Sequence, residues 1–591
     1  MSRQSLNVKP SGSTFRVLGP TEEARQFAKQ LRISATLAEV LRSRGHVVVA
    51  DTERFLDPKL AHLTPPDLMA DRALLAARLA RAIEQKETIV VFGDYDCDGI
   101  TSAAILSTVL EELGGKVTVE LASRFEGGYG LSARALLRVL AHAPNVVVTC
   151  DCGSSDHESL RELNAKNIDC LVIDHHLVPD EPLPAIAFLN PHRPECGFAY
   201  KGLASCGLVL SVAAELRRLL GAKLDIRKYL DLVAIGTIAD VAPLTGDNRA
   251  LVRAGMKVIE QTTRPGLRAL MRRARFEPDA PLSAEDIAFR IAPRLNAPGR
   301  MGSPMPALRL LVEQNETVAE SLADAVESLQ IARRAAQDSI VKQAEIDIEN
   351  LGFTDDAAFV VGRPEWNIGI VGIVAGKLAD RYQRPVVVYG AEGEVARGSV
   401  RGPEGATLHD LLTASASTLI RFGGHQAAAG LDVELARVQE FREAFVAAAQ
   451  STQRNELTSS GKQPGDVLVL DAGDDPLSVA RELRLLEPCG SGNPAPSIGI
   501  KGKLAFAKEV RGGHLSLELL GDGGQRIRGF APGQGNLAGN LGEELLLVGA
   551  LRTSSYAGRE RAEVLVTSIL PWGKGEESRA SATTRERESE S

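Results

Sequence analysis

The segment GDYDCDG at 93–99 sets Asp94, Asp96 and Asp98 at alternate positions. In an extended chain alternate side chains share a side, so this spacing predicts three carboxylates grouped at the end of a strand. Crowded carboxylates repel unless a cation lies among them, which makes the segment a candidate metal site. Further acids and imidazoles close later apolar runs: Asp151 follows VVVTC, Asp174, His175 and His176 follow CLVI, and Asp240 follows GTIA. Hard oxygen donors with one or two imidazoles suit Mn²⁺ or Mg²⁺, and no pair of thiolates favours zinc. A single ion would not need so many acids. Two ions ~3.5–4 Å apart can activate water and stabilise charge on a displaced phosphate oxygen. The chemistry these residues predict is two-metal phosphoester hydrolysis.

The same string matches the first half of a calcium-binding EF-hand loop. That loop ends in a bidentate glutamate at its twelfth position, where this chain has Ile105, and it follows a helix, whereas VVF precedes this one. A calcium-sensor reading is therefore set aside.

The elements that must position these residues are visible as a rhythm. Between 88 and 176, β-rich runs (TIVVFG, VTVELAS, VVVTC, CLVI) alternate with helical patterns (ITSAAILSTVLEELG, LSARALLRVLAHA, SDHESLRELNAKN). This predicts an α/β fold with a parallel sheet, whose ligands collect at the carboxyl ends of strands. Residues 202–238 read as helical. Residues 306–350 read as one long connector helix, and 351–450 as a second α/β unit containing AAFVVG, RPVVVYG, RGSVRG and FGGHQAAAGL. A polar stretch at 451–465 reads as a linker, and 466–572 as a small β-barrel of short strands between glycine-rich turns. The expected layout is thus an N-terminal segment (1–50), a catalytic domain (51–305), the connector, the second α/β domain, the linker, the barrel and a disordered tail (573–591).

The net charge of −8 does not exclude a nucleic-acid partner, because a basic channel can coexist with an acidic exterior. Seven cysteines, an odd number in 591 residues, fit reduced thiols. Neither a signal sequence nor an apolar run near the ~20 residues of a membrane span is present, so a cytoplasmic protein without membrane contact is expected. An arginine-rich stretch, RPGLRALMRRARF (264–276), is a candidate track for a nucleic-acid backbone, the alternative being a solvated face.

DYDCDG, DCG, DHH and GTIADVAPL resemble, in order and spacing, the four motifs of the DHH phosphoesterase family, and NIGIVGIVAGKLADRYQRP, GSVRG and FGGHQAAAG resemble its DHHA1 domain. RFEGGYGLS (124–132), FRIAPRLNAPGRMG (289–302) and LEPCGSGNPAP (486–496) resemble the longer members of that family that add an OB-like barrel, the RecJ-like exonucleases. Cys97 stands where the family usually has Ala, implying oxidation sensitivity, and Gly402 where Ser is common, implying a changed phosphate contact.

The resemblance implies a single-strand-specific 5′-to-3′ DNA exonuclease that releases 5′-mononucleotides in recombination and repair. It implies one metal held by Asp98, Asp151, His175 and Asp240 and another by Asp94, Asp96 and a shared Asp151, with His176 facing the scissile phosphate or orienting a ligand and Asp174 behind the ligands. It implies substrate contacts from Arg124 and Tyr129, the latter stacking a base. Arg294, Asn296 and Arg300 are expected on a loop along the phosphate backbone, and Ser399, Arg401 and His425 on the terminal 5′-phosphate. Without a GxxxxGK[ST] motif the chain is no motor, and the family's partners, a RecQ-type helicase and single-strand-binding protein, would be separate. The competing readings are a DHH hydrolase of very short RNA or cyclic dinucleotides, which would barely need the barrel, and a catalytically dead DNA-binding scaffold.

Overall fold

A computed structural model describes residues 16–572 apart from 278–280, 351, 354–355, 404, 426–427, 457–465, 522 and 557–558. The predicted tail (573–591) lies outside the described residues, as does most of the predicted linker. The chain divides into two compact units, one of residues 60–460 and one that joins the residues before 60 to those after 460.

The first unit is built on a five-stranded parallel sheet, in the order Lys116–Leu121, Thr88–Gly93, Val146–Cys150, Asp169–Ile173, Ala187–Leu189. Its central strands are continuous Val/Ile runs because both faces are covered. Ile89, Val91, Val148 and Leu171 point into one core with the helices Cys97–Glu112, Ser205–Leu219 and Leu230–Ala239. Val90, Phe92, Val147 and Val172 point into the other, with Leu136 and Leu160. The region read as helical at 202–238 is two helices joined by a short 3₁₀ turn at Ile226–Tyr229.

Register is what matters for the site. Gly93 pairs with Cys150, Cys150 with Ile173, and Ile173 with Leu189. The next residue on each of the first three strands therefore falls in one row across the carboxyl edge: Asp94, Asp151 and Asp174. Their amides extend the ladder, Asp94 N–H donating to Cys150 O (3.2 Å), Asp151 N–H to Ile173 O (2.9 Å) and Asp174 N–H to Leu189 O (3.0 Å).

The helical pattern expected as one piece over 306–350 is interrupted. Met305–Val312 ends before a new start at Asn315, whose side chain accepts from the amides of Thr317 and Val318 and opens the 35-residue helix Glu316–Asn350. The second α/β domain is a mixed five-stranded sheet, Arg421–His425, Ala428–Glu434, Val395–Arg401, Val386–Glu392, Phe359–Gly362, with the helix Val371–Tyr382 packed on it. Its last helix, Val438–Glu456, runs into what was read as the start of the linker.

In the second unit the strand Ile498–Val510 pairs with both His514–Leu520 and Glu544–Tyr556, so the sheet closes on itself as a barrel. The N-terminal residues belong to this unit. Arg16–Leu18 adds a parallel strand to Asp466–Val469, and Asp474 accepts from both the amide and the hydroxyl of Thr36.

Candidate functional site

Asp94, Asp96 and Asp98 do not lie along one extended strand, as their alternation predicted. The strand stops at Gly93, Asp96 caps the helix Cys97–Glu112, and Asp98 occupies its first turn. The physical reason is the orphan amides of a helix start: Asp96 Oδ1 accepts from the amides of Asp98 (3.0 Å) and Gly99 (3.2 Å). The glycine of DYDCDG serves this turn, since a Cβ on Gly99 would lie 2.6 Å from the Asp94 backbone.

The carboxylates nevertheless converge. Asp98, 1% exposed, receives the amides of Ser205 (2.7 Å) and Cys206 (3.0 Å) from the start of the helix Ser205–Leu219. His175 Nε2 lies 3.1 Å from Asp151 Oδ1, 3.7 Å from Asp240 Oδ2 and 3.9 Å from Asp98 Oδ2. Asp240 arrives as the C-cap of the helix Leu230–Ala239. Three groups offer donor atoms within 4.8 Å of one another: Asp94, Asp96 and Asp151; Asp98, His175 and Asp240; Asp151, His175 and His176.

The electrostatics of this cluster are unfavourable as it stands. Burial pushes the Asp94 and Asp151 carboxyls well above the ordinary range, and neighbouring acids add to it. Asp240 rises to about 8 through burial and then Asp98 and Asp96. Asp94 Oδ1 is buried without a hydrogen-bond partner among the described residues. Asp174 behaves differently. Burial would raise it, but the Nδ1–H of His176 (2.8 Å) and the amides of Ser154, His175 and His176 hold it ionised at about 2. In return His176 rises to about 9 against its own burial. Asp174 thus anchors the histidine loop rather than facing the cavity, in the manner of a carboxylate that orients an imidazole ligand.

Beside the acids stands a group of guanidinium ions. Arg124 lies over the Tyr95 ring, 3.8 Å from its centroid, with Nε buried and without a hydrogen-bond partner among the described residues. Arg300 reaches across to the second α/β domain, donating to Gly369 O (3.1 Å), and its proton affinity falls to about 9 through burial and the nearness of Arg124 and Arg333. Ser399 Oγ and Arg401 Nη2 converge on the first turn of the helix Val371–Tyr382, where a Cβ added to Gly372 would meet them at 3.2 and 3.3 Å. A hydroxyl, a guanidinium and a helix start form a ready anion cradle. Tyr129 is 43% exposed at the mouth, its ring edge-on to His176 with centroids 5.3 Å apart.

Several expectations are corrected. Arg294, Asn296 and Arg300 are on a helix, Ala292–Met301, which continues through Pro298, and not on a loop. Arg294 is buried and bound to Glu327 (2.6 and 3.1 Å) and Arg290 O (2.7 Å), so it is spent inside the fold; Asn296 is half-buried. Four of the five arginines at 264–276 are paired within the fold: Arg264 with Asp231, Arg268 with Glu316, and Arg272 and Arg273 with Glu320. Cys97 is buried, and its thiol is pushed well above the ordinary range by burial and then by Asp96 and Asp98. Gly402 lacks room for a serine side chain, since its Cβ would meet Ala406 and Leu408 at 2.8 and 2.9 Å. His425 closes a strand, but its side chain is outside the described residues. Sequence reasoning missed Tyr95 and Arg333. The first was visible inside DYDCDG, while the second was hidden in the charge pattern of the connector.

The family model for the DHH family, N-terminal domain, matches residues 88–237, the DHHA1 domain model residues 355–451, and the RecJ OB domain model residues 468–568. The single-stranded-DNA-specific exonuclease RecJ of Bacillus subtilis is 30% identical over 564 residues, covering 93% of this chain and 70% of its own. That of Thermus thermophilus is 33% identical over 561 residues, covering 93% and 78%. The crystal structure of Thermus thermophilus RecJ in complex with Mn²⁺ superposes with a TM-score of 0.78 at 31% identity, over 95% of this chain and 80% of that one. With all three domain types in the same order and this identity along nearly its whole length, the chain belongs to the RecJ family of exonucleases.

Proposed function

We propose that the protein is a single-stranded-DNA-specific exonuclease that digests from the 5′ end and releases 5′-mononucleotides by two-metal hydrolysis. The observation that carries this reading is the row Asp94–Asp151–Asp174 at the sheet edge. Asp151 stands between two donor groups, one of Asp94 and Asp96, the other of Asp98, His175 and Asp240. The donor set fits hard divalent cations such as Mn²⁺ or Mg²⁺, and the unpartnered Asp94 Oδ1 is a lone pair with nothing to accept. When bound, the two ions would supply an ionised water and charge neutralisation at the phosphate.

The chain's own residues do the rest. Arg124 and Arg300 hold the phosphate backbone, Tyr129 receives a base face, and His176, fixed by Asp174, presents an imidazole proton toward the reacting phosphate. Ser399 and Arg401, beside Gly372, take the terminal 5′-phosphate and so set polarity; His425 joins them on family resemblance. The barrel, by the same resemblance, binds single-stranded DNA. We place the reaction in the cytoplasm in recombination and repair, fed by a RecQ-type helicase and single-strand-binding protein. Among the described residues no helix is long and apolar enough to cross a membrane.

The test is digestion of end-labelled oligonucleotides in Mn²⁺. Release of labelled mononucleotide from the 5′ end of single strands, and not from blunt duplex, is expected; digestion from the 3′ end or a preference for duplex rejects the proposal.

A further inference from the structure

The helix Leu230–Ala239 delivers Asp240 to the acid cluster and then stops abruptly. Its end is a left-handed turn: the amide of Val241 donates to Ile238 O (3.1 Å) and that of Ala242 to Thr237 O (3.2 Å), with Val241 at φ 59°. Glycine is the usual occupant of such a position. A β-branched residue is the least tolerated there, because its Cβ crowds the neighbouring backbone. Strain of this kind persists where packing of the side chain compensates for it. Val241 has no such compensation, since it is 70% exposed. An unpacked valine in a glycine conformation weakens the fold, and residues held this way gather where they act on something outside the folded chain.

Its position says what that something is. Val241 directly follows Asp240, whose carboxylate lies 3.7 Å from His175 Nε2. Leu177 directly follows His176 and is 71% exposed. Tyr129, 43% exposed, stands against His176. Three exposed side chains with apolar surface thus stand next in sequence to, or in ring contact with, residues of a cluster that is otherwise carboxylate, imidazole and guanidinium. A phosphodiester brings charge for the cluster and a flat apolar base for these side chains. We propose that Val241 is a substrate contact, forming with Leu177 an apolar lip on which the base next to the scissile phosphate rests. This rests on the proposed exonuclease reading, and sequence-blind contact through base faces is what that reading requires.

Two variants separate the contact from the strain. Val241→Gly removes both, and Val241→Thr keeps the branched shape and the backbone conformation but replaces a methyl with a hydroxyl. In EDTA, Val241→Gly is expected to melt above the parent protein and Val241→Thr close to it. With Mn²⁺ and a 5′-phosphorylated oligothymidine, both variants should raise KM about 4-fold or more, the effect of losing roughly one buried methyl contact, with little change in kcat. On the same strand with abasic residues at its two 5′-terminal positions, parent and variants should share one KM. Unchanged KM on the intact strand, or a loss that persists undiminished on the abasic strand, overturns the contact while leaving the exonuclease reading standing. If the parent itself digests no single strand, that reading fails and this inference with it.

Discussion

Arg294 offers the sharpest division between a residue that binds substrate and one that holds the fold. Its side chain is 9% exposed, and its guanidinium makes two bonds to Glu327 on the long helix, Nε to Oε2 at 2.6 Å and Nη2 to Oε1 at 3.1 Å, and one from Nη1 to Arg290 O at 2.7 Å. Removing one partner of a buried pair leaves the other charge uncompensated and costs about 3–5 kcal/mol. Glu327 keeps 22% of its side chain in water, so the lower end applies to Arg294→Gln, about 3 kcal/mol. At roughly 2 °C per kcal/mol for a domain larger than 150–250 residues, melting falls by about 6 °C. Replacing both partners with apolar residues, Arg294→Met with Glu327→Leu, should restore most of that, because neither charge is then stranded. The assay is thermal melting beside KM for a single-stranded oligonucleotide, which should stay within about twofold for Arg294→Gln, since every guanidinium nitrogen of Arg294 already has a partner inside the fold. A tenfold rise in KM with melting unchanged would refute the reasoning and return Arg294 to the DNA.

Asp151→Asn removes one charge from the most crowded carboxylate, so in EDTA it should melt above the parent. It should also lose the gain of about 2.7 kcal/mol that a divalent ion at 100 times its Kd confers, and all nuclease activity, as read by melting with and without Mn²⁺. Asp174→Asn removes the charge and one of the two acceptor oxygens that hold His176 and three backbone amides, without touching the metal ligands; a Mn²⁺ titration of activity should show half-maximal activity at a 10- to 100-fold higher Mn²⁺ concentration. Arg401→Ala should erase the preference for 5′-phosphate over 5′-hydroxyl ends, measured as a ratio of kcat/KM on the two strands, while an internal phosphate contact would lower both alike.

The sheet was legible because a parallel strand buried on both faces must be a short Val/Ile run, and four such runs alternate with helices between 88 and 176. The acid row was legible for the same reason, as each acid is the first residue past a run. What periodicity did not reveal was how a strand ends. Alternation of Asp94, Asp96 and Asp98 suggested extended chain, but free amides at a helix start outcompeted it. The loop reading of 289–302 failed similarly. Its Asn, Pro and Gly residues signal a turn locally, yet Arg294 and the apolar Leu295 find buried partners that keep the helix going. Charge patterning was the least informative level. The arginines of 264–276 left a nucleic-acid track and a solvated face equally open, and the connector showed only alternating charge, whereas Arg268, Arg272 and Arg273 pair with the connector's Glu316, Glu320 and Asp324.

Charge balance joins the two halves of the site. Asp94, Asp96, Asp98, Asp151 and Asp240 gather around two histidines, while Arg124, Arg300, Arg333 and Arg401 have no carboxylate partner among the described residues, Arg333 being capped only by the neutral amides of Gln330 and Gln337. Opposite charges so close would be expected to collapse into salt bridges, and Arg124 does temper Asp94. They are prevented from doing so by being fixed elsewhere: Asp98 by two helix amides, Asp96 by its cap, Arg124 by the face of Tyr95, Arg300 by Gly369 O. Each half is therefore short of a counter-ion that the other is not free to give. A phosphodiester accompanied by divalent cations supplies both at once, anion to the guanidinium side and cation to the carboxylate side, and either alone leaves one half unbalanced. On the proposed reading, metal and single strand should bind with positive coupling, each tightening the other by the same factor. Equal affinity for oligonucleotide with and without Mn²⁺ would show that the two halves are not parts of one site.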